Sequence, residues 1–196
     1  MQQYKLPIKK QEKIFLDLIL RNSNIDAILN RGFVSNISNW YLVSGCLNQT
    51  IWNQLTNRKI ENGVKDYDLI YFDQDISIDK ENKIKKLVTE KFADLKINLD
   101  VVNQARVHLW IEKDWGLKMR PLISSEDGVA SWPITVSCVG VKKTDDAYII
   151  MAPYGLTDSL EMILRPNKTT VMRESDFNYK VNKWLKKWPE LSLIPW

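Results

Sequence analysis

The chain has 196 residues and a net charge of +4, from 28 basic and 24 acidic side chains, which suits one globular domain with a real core and permits a polyanionic partner without requiring one. Hydrophobic residues at 44% and charged residues at 27% exclude the disordered class. Two cysteines without CxxC spacing and a single histidine, His108, exclude a zinc site of thiolates and imidazoles.

The opening MQQYKLPIKKQEK has no apolar signal region, and no apolar run approaches the roughly 20 residues of a membrane span. The expectation is a cytoplasmic protein with reduced thiols and no membrane partner. From Lys9 to Leu29 apolar residues recur at helical spacing, as one helix or as two divided near Asn22 to Asn24. Trp40-Tyr41-Leu42-Val43 reads as a buried strand closed by Ser44-Gly45. Leu47, Ile51 and Leu55 then set a helix that starts just after the glycine. Asp66 to Phe72 is β-prone, a charged helix is predicted over roughly Asp79 to Leu95, and Ile97 to Val102 alternates as a strand. Ala105 to Lys113 is predicted helical. Ser124 and Asp127 mark a helix start, and Pro133 limits that helix to about Trp132. Val136 to Val141 and Ala147 to Met151 form a predicted hairpin around the polar Lys142 to Asp146. Leu156, Leu160, Ile163 and Leu164 predict a helix ended by Pro166, and Phe177, Val181, Trp184, Leu185 and Trp188 predict a last one. The fold class is α+β (α/β-like), with a short mixed β-sheet. Eight tryptophans need a deep core, a stacking surface or both.

Chemistry concentrates in acids. Asp66-x-Asp68 opens one strand and Asp100 stands inside another, so the two-residue period puts Asp66 and Asp68 on one face. Paired aspartates repel, and a divalent cation removes that cost. Magnesium prefers oxygen ligands at about 2.1 Å and binds through carboxylates plus substrate phosphates. If the two strands are neighbours, Asp100 completes a two-ion site. Asp73-x-Asp75 has the same spacing but reads as a solvated strand end. Ser44-Gly45, a tight turn before a helix, offers backbone N–H groups and a favourable dipole to a phosphate. A turn that merely needs a small residue is the plainer reading of the glycine.

Taken together, WYLVSGCLNQTIWNQL, DYDLIYFD, LDVVNQARVHLW, SSEDGVASWP and APYGLTDSLEMILRPN resemble a bacterial nucleotidyltransferase-like family of small proteins within the polymerase-β-like nucleotidyltransferase superfamily. The resemblance runs from about Trp40 to the C-terminus. It implies a single nucleotidyltransferase domain over residues 1–196, with N-terminal helices at about 9–30 and C-terminal helices at about 155–188 packed on it. It also implies a catalytic, metal-binding trio of Asp66, Asp68 and Asp100 with Mg²⁺ or Mn²⁺. Ser44, Gly45 and Cys46 would meet the nucleotide phosphates, although Cys46 stands where the superfamily has Gly or Ser. Arg106 and Arg165 are further candidates to hold phosphate. His108, Lys65, Trp110, Trp115 and Trp132 read first as structural or solvated. The implied reaction moves a nucleoside monophosphate from a nucleoside triphosphate to an acceptor, a small molecule being favoured over RNA or protein. The alternatives are a catalytically silent binding module of this fold and a nucleic-acid binder using Lys180 to Lys187.

Overall fold

The computed structural model describes residues 6–33, 37, 39–145 and 147–196; the first five residues of the N-terminal reading and Asp146 of the hairpin loop lie outside them. The N-terminal apolar pattern forms two helices, α1 (Ile8–Ile19) and α2 (Ser23–Arg31). Asn22 divides them by turning its side chain onto the backbone N–H groups of Asn24 and Ile25, an N-cap that a continuous helix would not need. Then follow β1 (Trp40–Val43), α3 (Gly45–Leu55), β2 (Tyr67–Tyr71), α4 (Ile78–Lys91), β3 (Leu99–Asn103), α5 (Val107–Trp115) and α6 (Ser125–Ala130). The chain ends with β4 (Gly140–Lys143), β5 (Tyr148–Met151), α7 (Thr157–Leu160), β6 (Ile163–Leu164), α8 (Glu174–Leu185) and β7 (Ser192–Leu193).

Five strands form one mixed sheet in the order β3-β2-β1-β4-β5, parallel only between β2 and β3. The short mixed sheet and the α+β class are as expected. Two segments differ from the sequence reading. Leu156 to Leu164 is not one helix: α7 stops at Leu160, Met162 takes a left-handed φ of 58°, and Ile163–Leu164 pair in parallel with Ser192–Leu193. Leu160 and Leu164 both remain buried through this bend, so the apolar spacing is satisfied without the helix. The hairpin strand begins only at Gly140, because Thr135–Ser137 winds into a 3₁₀ turn.

The sheet has two unequal faces. Leu42, Leu69, Tyr71, Val101 and Val141 point into the main core with Phe15, Ile25, Leu47, Trp52, Val88 and Phe177. Burying each such side chain stabilises the fold by roughly 1.5–3 kcal/mol. Tyr41, Val43 and Ile70 point the other way, into a small cluster with Val129, Cys138, Met151 and Trp132. The tryptophan question is answered mainly by the core. The Trp52 ring meets Trp184 and Trp188 edge-on at 5.2 and 5.5 Å, and Trp188 Nε1 donates to Asn53 Oδ1 at 2.9 Å. Among the described residues, no helix is long and apolar enough to cross a membrane.

Candidate active site

Asp68 and Asp100 are register partners on the parallel strands β2 and β3. Partners on adjacent strands share a face and lie about 4.8 Å apart across the sheet. Asp66 precedes Asp68 by one two-residue period, and Tyr67 donates its N–H to Asn98 O at 2.9 Å, so the chain is held against β3 where Asp66 enters. Asp66 and Asp100 are exposed, while Asp68 is half-buried. The pairing continues across the sheet, Val43 facing Asp68 on one side and Gly140 on the other, and Gly140 facing Met151. Asp100, Asp68, Val43, Gly140 and Met151 therefore form one row on the face of the smaller cluster. Gly140 lets its neighbours in the row pack closely there. A Cβ at that position would meet Met151 Cε at 2.8 Å and Val43 Cγ1 at 3.0 Å.

The row also places the phosphate-binding candidates. Val43 ends β1, and Ser44 carries the chain straight into α3, so that helix starts beside Asp68. Ser44 has φ 59° and ψ −116°, a conformation rare outside glycine. It is held by its N–H to Val139 O at 3.0 Å and by Asn48 Nδ2 on its carbonyl at 3.1 Å. Its hydroxyl does not cap the helix, which leaves the first-turn N–H groups without a side-chain acceptor. Cys46 is a core thiol: it is 1% exposed, and burial, then the charge of Asp68, raise its pKa well above the usual value. Only its backbone suits a ligand.

Electrostatics single out Asp68. Burial, then the neighbouring Asp66 and, less strongly, Asp100, push its carboxyl up to about 7, with Lys180 of α8 opposing. Lys180 is the site residue that the sequence reading passed over, treating it as part of a basic helix. The available signal was its place three residues after Phe177 and four before Trp184, on the apolar stripe of α8. Cys138, close enough to feel Lys180, has its thiol pushed up to about 12 by burial.

The two arginines are engaged elsewhere. Arg106 Nε pairs with the buried Glu81 at 2.9 Å, and Arg106 also donates to the carbonyl of Ile76. Glu81 in turn accepts the N–H of Asn103, at the end of β3 away from Asp100. Arg165 lays its fork on Asp158 at 3.1 and 3.2 Å, and Asp158 accepts Thr135 Oγ1 at 2.6 Å. The Trp132-Pro133 and Arg165-Pro166-Asn167 blocks clamp one another. Ile134 bridges Pro166, and Asn167 Nδ2 donates to the carbonyls of Ala130 and Trp132, both at 2.8 Å. His108 is half-buried with Nδ1 unpartnered, and Lys65 is exposed. Trp110 and Trp115 are exposed on α5, in edge-on contact at 5.9 Å. Asp73-x-Asp75 is a turn, its Asp73 paired with Lys80 at 2.7 Å.

Among the described residues, no three His, Cys, Asp or Glu side chains are gathered closely enough to hold a metal ion as they stand. The donor chemistry nevertheless fits a hard divalent cation: two carboxylates in register and a third one period away, on one face, with the middle one holding its proton unusually tightly.

The model of a family described as nucleotidyltransferase matches residues 34–193. No curated protein matches the chain. The fold is similar to an NMR structure described as revealing a CCA-adding enzyme head domain, with a TM-score of 0.72 and 22% identity over 94% of this chain and 96% of that one. A structure of a tRNA-processing enzyme complex matches at a TM-score of 0.41 and 13% identity, over 75% of this chain and 36% of that one. At this identity the first likeness speaks to the fold alone, and the second carries no argument.

Proposed function

The chain belongs to the nucleotidyltransferase family, and from that premise we propose that it transfers a nucleoside monophosphate from a nucleoside triphosphate to an acceptor hydroxyl, releasing pyrophosphate. The observation that carries the reading is the register pairing of Asp68 with Asp100, with Asp66 on the same face and the uncapped start of α3 alongside. Asp66, Asp68 and Asp100 are the catalytic residues and would hold Mg²⁺ or Mn²⁺. The bound ion supplies Lewis-acid stabilisation of the charge that develops on the phosphates and lowers the pKa of the acceptor hydroxyl.

The remaining work belongs to the chain's own groups. The N–H groups of Gly45, Cys46 and Leu47 orient phosphate oxygens at the start of α3, where the helix dipole favours anions. Asp100, on the exposed edge strand, is the carboxylate that an acceptor reaches from solvent, and it accepts the hydroxyl proton. Asp68, whose pKa stands near 7, must lose its proton for the site to work. Positioning and charge supply the rate. The acceptor we favour is a small hydroxylated molecule.

The test is pyrophosphate release from each of the four ribonucleoside triphosphates with Mg²⁺ or Mn²⁺ and a panel of small hydroxylated acceptors, alongside triphosphate binding. Metal-dependent binding and release, both abolished in Asp66→Ala and Asp68→Ala, support transfer. Binding without release under every acceptor would make the protein a catalytically silent nucleotide-binding module. Absence of binding at millimolar nucleotide would reject the proposal.

A further inference from the structure

A cleft of about 260 Å³ opens where β2 and β3 begin, with Asn24, Glu61, Lys65, Tyr67, Lys96 and Asn98 in its walls. Lys65 and Tyr67 are the two chain neighbours of Asp66, and Asn98 stands one strand period before Asp100. Tyr67 belongs to the main core, on the face away from the acids, whereas the period of two puts Asn98 on the face of Asp100. The cleft therefore wraps round the end of the sheet, from the core side to the acid side. The N–H of Tyr67 on Asn98 O, at 2.9 Å, holds its two walls together.

The cleft carries two cations without partners. Lys65 and Lys96 are exposed, and among the described residues neither closes an ion pair nor donates a hydrogen bond. The acids nearby are committed elsewhere. Glu61 accepts from Tyr67 Oη at 3.1 Å and from Asn24 Nδ2, Asp94 is paired with Arg31, and Asp66 stands in the acid row. Lys96 also ends the turn Ala93–Leu95 in a left-handed conformation, φ 54° and ψ 35°. Crowding of Cβ makes that conformation costly for lysine, and glycine would hold it more cheaply. A strained residue that places an ammonium in a cleft points to a use for the ammonium.

Two ammonium groups suit an anion, and Asn24, Asn98 and Glu61 suit hydroxyls around it. A carboxylate among them disfavours the run of phosphates that a polynucleotide presents, and the volume suits a compact ligand. We propose that this cleft binds the anionic group, a phosphate or a carboxylate, of the acceptor, whose hydroxyl then reaches round the end of the sheet to Asp66 and Asp100. This rests on the transfer reading above and adds the class of acceptor: a small anionic polyol.

The experiment is an NMR titration of the whole chain with glycerol 3-phosphate, glycerate and glycerol, for wild type, Lys96→Gly and Lys65→Gln. Calorimetric binding of inorganic tripolyphosphate with Mg²⁺ to the same variants reports on the start of α3. The expected result is amide shifts at Asn24, Lys65, Lys96 and Asn98 with at least one of the two anions and none with glycerol; the tighter of the anions tells phosphate from carboxylate. Lys96→Gly should bind that anion about ten-fold more weakly, yet melt no earlier than wild type, since glycine relieves the backbone. Lys65→Gln should weaken binding likewise, and tripolyphosphate affinity should hold in both. Undiminished affinity in both variants, shifts confined to α3, or no binding of either anion at millimolar ligand overturns the cleft assignment and leaves the transfer reading standing. Anion binding in the cleft by a protein that binds no nucleoside triphosphate overturns the acceptor role together with the transfer reading.

Discussion

Asp68 carries the tension of the site in one carboxyl. Its pKa of about 7 in the fold lies above the ordinary 3.8, through burial and the repulsion of Asp66 and Asp100. Between those values the folded protein keeps a proton that the unfolded chain has released, so folding becomes less favourable as pH rises through the window. In metal-free buffer, wild type should lose stability relative to Asp68→Asn between about pH 4 and pH 7, by on the order of 2–4 kcal/mol at the upper end. Urea unfolding at a series of pH values measures the difference, and a flat difference would refute the coupling. Added Mg²⁺ should recover the loss in wild type and do nothing for the Asn variant. The acids were legible in the sequence because a strand's period is two and a carboxylate inside an apolar strand needs a reason. Lys180 was not, since a lysine on a mixed apolar and basic helix looks solvated until the face it shares with Phe177 and Trp184 is known to turn inward.

Elements were read well where one periodicity had one solution. β1, α3, β2 and β3 lie where alternation and helical spacing put them, and they are the elements that build the acid row. The stretch from Leu156 to Leu164 failed because its four apolar residues satisfy either a helix or a bend into a strand, and the distant partner β7 decides between them. Arg106 also belongs to this scale. Its position after β3 suggested a phosphate ligand, but in the fold it pins α4 to the end of β3 through Glu81, which is 7% exposed. Arg106→Met leaves that buried carboxylate unpaired and should lower unfolding stability by about 3–5 kcal/mol. Tripolyphosphate affinity, measured on the folded fraction, should hold. A stable variant with weakened affinity would return Arg106 to the list of phosphate ligands.

For the molecule as a whole, the central place of β1 governs where stability is highest. It is hydrogen-bonded on both sides, to β2 and β4, and all four of its residues are buried. Its amides should exchange with deuterium only through global unfolding, whereas β3 and β5, at the sheet edges, exchange through smaller openings. Hydrogen-exchange mass spectrometry that finds β1 no better protected than β3 would contradict this ordering. The same placement bears on how the protein is made. As the chain leaves the ribosome, β1, α3, β2 and β3 appear in sequence and can align Asp66, Asp68 and Asp100 early, with one side of β1 still bare. Val43 must wait for Gly140, and the aspartates must wait for Lys180. A nascent chain thus displays its negative row with no opposing charge for much of synthesis, and α8, which follows the whole sheet in sequence, brings the positive charge that acts on Asp68.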